Sequence, residues 1–119
     1  MEQLIFVYGT LMRGQRAHHM LSGARFCGQY TLHGYAMYHL GRYPGIRPLP
    51  GGQVLGEVYQ ISGDMLAQMD EYEEEGTLYH RKRVSVEHDS GQTDVWAYIY
   101  ASELSGTPMT GRWDSSPTE

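Results

Sequence analysis

Leu4-Ile5-Phe6-Val7-Tyr8-Gly9-Thr10-Leu11 is the stretch from which the rest of the chain is read. Five consecutive apolar residues, rich in branched and aromatic side chains, are the pattern of a buried strand, and Gly9 stops it. The strand therefore ends in a turn. Its successive N–H groups can point into one concavity and hold an anionic oxygen, its glycine lets a ligand approach the backbone closely, and Thr10 adds a hydroxyl. By local pattern alone an ordinary strand-ending turn explains the same residues.

Working outward, residues 14–21 predict a short helix, with Ala17, Met20 and Leu21 at helical spacing and Gly23 as a stop signal. Residues 26–32 and 35–40 read as two strands joined through His33-Gly34. A loop follows around Tyr43-Pro44-Gly45, which Pro48 and Pro50 keep out of a sheet interior. Residues 54–61 carry apolar groups on both faces and so belong in the middle of a sheet. Ser62 suits a helix N-cap, Asp64 sits well in the first turn, and Met65, Leu66, Met69 and Tyr72 form an apolar stripe. Residues 83–87 and 95–100 flank Asp89-Ser90-Gly91 and predict an antiparallel hairpin. Helices set among many short strands make an α+β domain whose sheet can curl into a barrel, although periodicity does not decide closure. One domain is expected over residues 1–109, with 110–119 a partly disordered tail from which Trp113 can still dock on the body.

A chain of 119 residues with 40% hydrophobic and 19% charged residues is globular in composition and long enough for one core. A net charge of -5 argues against nucleic acid as a partner, and Arg81-Lys82-Arg83 is too short to reverse that. Cys27 is the single cysteine, which excludes an internal disulfide or a cysteine-built zinc site and suits a reducing cytosol. The start Met1-Glu2-Gln3 lacks the basic region of a signal peptide, and no apolar run approaches the roughly 20 residues that span a bilayer. A cytoplasmic protein without a membrane partner is expected.

Chemistry concentrates in Asp70-Glu71-Tyr72-Glu73-Glu74-Glu75-Gly76, a carboxylate run at the C-terminal end of the predicted helix. The helix dipole disfavours anions there and neighbouring carboxylates repel one another, so raised pKa values and general-base work are expected. A solvated acidic surface run would look the same in sequence. Tyr43, Tyr79 and Tyr100 each offer an apolar wall with a polar tip, and Arg81 and Arg83 can pair with the acidic run or with a substrate carboxylate. Cys27 lies in a predicted strand without a local basic partner, so it reads as a buried hydrophobe and not a nucleophile. The six histidines lack metal-ligand spacing, His18 and His19 diverging by about 100° on a helix. No GxGxxG, GKS or GKT sequence occurs, so neither a metal nor a nucleotide cofactor is expected.

Taken together, Val7 to Leu11, Tyr43-Pro44-Gly45, Gly56-Glu57-Val58-Tyr59, Met69-Asp70 with Glu73, Tyr79-His80-Arg81 and the segment from Trp96 to Tyr100 cover nearly the whole chain. Their order and spacing resemble the gamma-glutamyl cyclotransferase-like family, in its gamma-glutamylamine cyclotransferase or AIG2-like branch. The resemblance implies a small mixed β-barrel with short flanking helices. It also implies that Tyr8, Gly9, Thr10 and Leu11 cradle a small-molecule gamma-glutamyl substrate, with Tyr43, Tyr79 and Tyr100 beside it and Glu73 as the one acid/base. The reaction it implies turns the substrate's α-amine against its own gamma-amide, releasing 5-oxoproline without metal, nucleotide or protein nucleophile. A monomer or weak homodimer is expected. Family members usually carry glycine directly after the glutamate, whereas here Glu74 and Glu75 precede Gly76, so Glu75 is a rival. Glu73 is preferred for its spacing from Asp70 and from Tyr79. The leaving group stays open, and the alternative is a noncatalytic small-molecule-binding protein of the same fold.

Overall fold

In a computed structural model that describes residues 2–89 and 91–113, the N-terminal apolar run forms strand β1, Glu2–Val7. Strands β2 (Arg25–His39) and β3 (Pro44–Ser62) follow, then helix α1 (Gly63–Tyr72), then β4 (Tyr79–His88) and β5 (Gly91–Tyr100). The strands close into a barrel in the order β1-β3-β2-β4-β5, with β1 parallel to β5 and the remaining pairs antiparallel. This is the mixed α+β barrel expected. Within the segment 54–61, residues 57–60 pair with β1 on one side and β2 on the other, the central place expected of it. Ile5, Phe6, Met69, Val86, Val95 and Ala97 are among the fully buried residues of the core.

Hydrogen bonding around the barrel is uneven. Among the described residues β1 meets β5 through one register pair, Ile5 with Trp96, and β2 meets β4 through one, Thr31 with Glu87. The other strand pairs run for six residues or more. Tyr8 Oη bridges the β1–β5 seam by donating to the Tyr98 carbonyl at 2.6 Å.

Where the sequence predicts two strands joined at His33-Gly34, one strand runs through. Register shifts fall between Phe26 and Gly28 and between His33 and Tyr35, and Gly28 and Gly34 both have positive φ. These are bulges, in which one extra residue bends the strand without reversing it. The predicted loop with Pro48 and Pro50 is likewise strand, because residues 44–53 pair only with β2 among the described residues and an edge tolerates a missing N–H. Of the predicted helix at 14–21 only a single 3-10 turn forms, His18–Leu21. Gly14, at φ 82°, cannot continue a right-handed helix.

The segment after β5 returns to the barrel. Met109 pairs with Met37, and Trp113 is 2% exposed with its ring 5.0 Å from that of His39. Ser90 of the expected hairpin turn and residues 114–119 of the expected tail lie outside the described residues; His88 pairs with Gly91 across that turn. No helix among the described residues is long and apolar enough to cross a membrane.

Candidate functional site

The turn after β1 spends its carbonyls on the protein itself. Gly9 O accepts from Met12 N–H at 3.1 Å and Thr10 O from Ala17 N–H at 2.9 Å. Leu11 O lies 2.9 Å from His18 Nδ1, and since a carbonyl can only accept, that ring nitrogen carries the proton. Two residues further on, Arg13 N–H donates at 3.0 Å to the carboxylate of Glu57, which is itself 2% exposed. The same carboxylate takes Tyr59 Oη at 2.9 Å and Arg112 Nη2 at 3.0 Å, so the turn is tied to β3 and to the C-terminal segment. Pro44 stands against Gly9 so closely that a Cβ there would fall 2.6 Å from its ring. Glycine is required by space, not by φ.

Helix α1 starts where Ser62 Oγ accepts from Met65 N–H at 3.1 Å, and its buried Leu66 and Met69 hold it against the barrel. It ends in a Schellman arrangement: Glu75 N–H bonds Asp70 O at 2.9 Å and Glu74 N–H bonds Glu71 O at 3.2 Å. Glu74 takes the left-handed position, φ 54°, usually filled by glycine. Glu73 is therefore the last residue before the chain swings away, with its N–H still bonded to Met69 O at 2.9 Å. Burial pushes its carboxyl up to about 7 from an ordinary value of 4.5. Desolvation is the cause, with no contribution from the neighbouring carboxylates of the acidic run.

Asp70, three residues before Glu73, anchors this end of the helix. Its carboxylate accepts from Arg81 Nε at 2.7 Å, Arg81 Nη2 at 3.0 Å and Tyr98 Oη at 2.7 Å. Arg81 also lies over the Trp96 ring at 4.3 Å, so it serves the scaffold, while Arg83 sits 5.0 Å from the same ring. Tyr79 Oη donates to Pro44 O at 2.6 Å. Tyr8 and Tyr79 are pushed well above the usual phenol range by burial first, and both feel the Glu73 charge. Their hydroxyls are committed walls and stay protonated.

These groups enclose a cavity with two chambers. The inner one is bounded by Phe6, Val7 and the turn from Tyr8 to Leu11, with Pro44 and Tyr98 opposite. The outer one is bounded by Arg16, Tyr72, Glu74 and Leu78. Thr10, Tyr43, Glu73 and Tyr79 belong to both, so Glu73 stands at the junction. Of the residues singled out in sequence, Tyr100 lines neither chamber; it packs edge-on against Tyr79 with ring centroids 5.4 Å apart. Glu75 also lines neither, and its carboxylate reaches only Arg81 N–H at 3.4 Å. Cys27 is exposed beside the first β2 bulge, not buried as expected. Tyr98 is the wall residue that sequence reasoning missed; strand alternation, which puts it on the same β5 face as Tyr100, is the signal that could have found it. Among the described residues no group of His, Cys, Asp or Glu is placed to hold a metal.

Comparison with known proteins places this architecture. Residues 5–115 match the family described as gamma-glutamyl cyclotransferase, AIG2-like. The chain is 35% identical over 111 residues to the gamma-glutamylcyclotransferase family protein ytfP of Citrobacter rodentium, covering 92% of this chain and 93% of that one. It is 33% identical over 108 residues to a Bos taurus protein named gamma-glutamylaminecyclotransferase, covering 82% of this chain and 64% of that one. The crystal structure of an AIG2-like protein from Mus musculus is similar with a TM-score of 0.78 at 26% identity, over 87% of this chain and 80% of that one. The chain belongs to the gamma-glutamyl cyclotransferase, AIG2-like family.

Proposed function

We propose that the chain cyclises a gamma-glutamyl amide, releasing 5-oxoproline and an amine, with Glu73 as the acid/base. The observation that carries this reading is the desolvated carboxyl of Glu73, near 7, in the same cavity wall as the turn from Tyr8 to Leu11. A carboxylate of ordinary acidity is too weak a base to take up a proton at neutral pH; near 7 the group both takes one and gives it back. The bovine relative's name, gamma-glutamylaminecyclotransferase, supports the same substrate class.

In this mechanism the ionised Glu73 takes a proton from the substrate's α-ammonium. The freed amine attacks the gamma-carbonyl carbon, forming the ring C–N bond while the carbonyl π pair moves onto oxygen. N–H groups of Gly9, Thr10 and Leu11, none of which donates in the turn's own hydrogen bonds, stabilise the substrate's anionic oxygens. Glu73 then returns its proton to the amide nitrogen, the old C–N bond breaks as the oxyanion collapses, and the ring nitrogen gives up its second proton, through the again-ionised Glu73, to the released amine, which departs as its ammonium; no water is consumed. Holding amine and carbonyl together supplies an effective molarity of roughly 10⁵ M or more, so no protein nucleophile is needed.

The test is to incubate the parent and its Glu73→Gln variant with a panel of gamma-glutamyl amines and dipeptides and to measure 5-oxoproline by mass spectrometry. Product from the parent, rising with pH up to about 7 and then levelling, with loss of about a hundredfold or more in the variant, is the expected result. Equal turnover by both removes Glu73 from the chemistry. Tight binding of these amides without product from either would favour the noncatalytic alternative.

A further inference from the structure

We propose that Arg16 builds a carboxylate subsite in the outer chamber, so that the protein prefers gamma-glutamyl substrates whose leaving group carries a carboxylate over those that release a simple amine. This rests on the cyclotransferase reading above. Glu73 divides the two chambers. With the glutamyl moiety against the turn and Glu73 handing its proton to the departing nitrogen, the leaving group occupies the outer chamber.

Arg16 is the cation of that chamber. Its Nη2 donates to Arg42 O at 2.8 Å, which pins the guanidinium beside Tyr43 while using one donor of a five-donor fork. Arg13 and Arg112 already share the Glu57 carboxylate, and Arg81 is paired with Asp70. Among the described residues Arg16 has no carboxylate within 4.0 Å. It is also built into the cradle, because the N–H of the next residue, Ala17, is the donor that holds Thr10 O at 2.9 Å. A planar fork in this position suits a carboxylate, which it can engage with paired N–H groups. Glu74 also lines the chamber and repels a carboxylate, which leaves Arg16 as the group there that attracts one.

The test uses gamma-glutamyl-alanine and gamma-glutamyl-ethylamine, which differ by one carboxylate. The parent is expected to favour the alanine substrate in kcat/KM by about fivefold, the size of an exposed guanidinium–carboxylate pair. Arg16→Gln should bring the ratio close to one, mainly through KM for the alanine substrate. Arg16→Lys should keep part of the preference, and Arg25→Gln, at an exposed site outside both chambers, should keep all of it. Higher ionic strength should narrow the parent's ratio. A parent ratio near one, or a ratio unchanged in Arg16→Gln, overturns the subsite. If neither substrate yields 5-oxoproline, the cyclotransferase reading falls and calorimetric binding of the same pair still judges the subsite. Tighter binding of the alanine ligand, lost in Arg16→Gln, upholds it, and equal binding overturns it.

Discussion

Replacing Glu73 by Gln should make the protein more stable while removing its activity. In the folded state this carboxyl ionises near 7 instead of 4.5. At about 1.36 kcal/mol per pH unit, keeping it ionised costs the fold about 3 kcal/mol, an upper figure because the side chain keeps some contact with solvent. The sign follows from proton uptake. Below pH 4.5 the group is neutral in both states and imposes no cost. Between 4.5 and 7 the folded state holds a proton that the unfolded chain has released, so stability falls as pH rises, and above 7 the loss is complete. Glutamine never ionises, and whatever its amide costs does not depend on pH. The stability of the variant minus that of the parent should therefore grow by about 2.5 kcal/mol from about pH 5 to pH 8. Urea denaturation of both proteins at the two pH values measures it. A difference that stays constant with pH, or that shrinks as pH rises, would mean that the folded protein does not desolvate Glu73, and the case for it as the acid/base would go with it.

Three other substitutions probe the frame around that carboxyl. Gly9→Ala places a methyl 2.6 Å from the Pro44 ring, so kcat/KM should fall about tenfold or more by displacement of the turn, with the far-ultraviolet spectrum unchanged; parental activity would refute the fit. Asp70→Asn weakens three hydrogen bonds at the end of α1 and should cost about 2 kcal/mol, lowering both the melting temperature and kcat, whereas an unaltered melting temperature would show the network to be idle. Glu57→Ala strands Arg13, Tyr59 and Arg112 around a buried hole, with an expected loss of about 3 kcal/mol or more in chemical denaturation; a loss below about 1 kcal/mol would contradict its place as the tie between the turn and β3.

The sequence reveals most where local pattern and burial coincide. The run from Leu4 to Val7, the Ser62 cap with its Leu66 and Met69 stripe, and the hairpin of β4 and β5 all carry their own periodicity or capping signal. It misleads where the outcome depends on a neighbouring strand. Gly34 looks like a strand end because a bulge and a turn ask for the same residue, and Pro48 and Pro50 look like loop until it is known that they lie where β3 pairs with β2 alone. Motif spacing singles out Glu73 over Glu75, and the structure puts Glu73 in the cavity wall and Glu75 outside it. The acidity of Glu73 was not legible for the right reason: a run of carboxylates suggests mutual repulsion, and only the packed cavity reveals desolvation. The choice between Tyr98 and Tyr100 depends on which of two neighbours on one strand face meets the cavity, a matter of curvature that alternation does not encode.

The thin seams of the barrel give the molecule the mechanics of a book. One cover is β1-β3-β2 and the other β4-β5, each continuous within itself, and their two spines are the single pairs Ile5 with Trp96 and Thr31 with Glu87. Parting the covers along the first spine breaks little backbone hydrogen bonding, and Tyr8 and Tyr98, which clasp it, are also walls of the inner chamber. Among the described residues the seam with the fewest backbone pairs is thus also a wall of the inner chamber, so any loosening of the scaffold there reshapes that chamber.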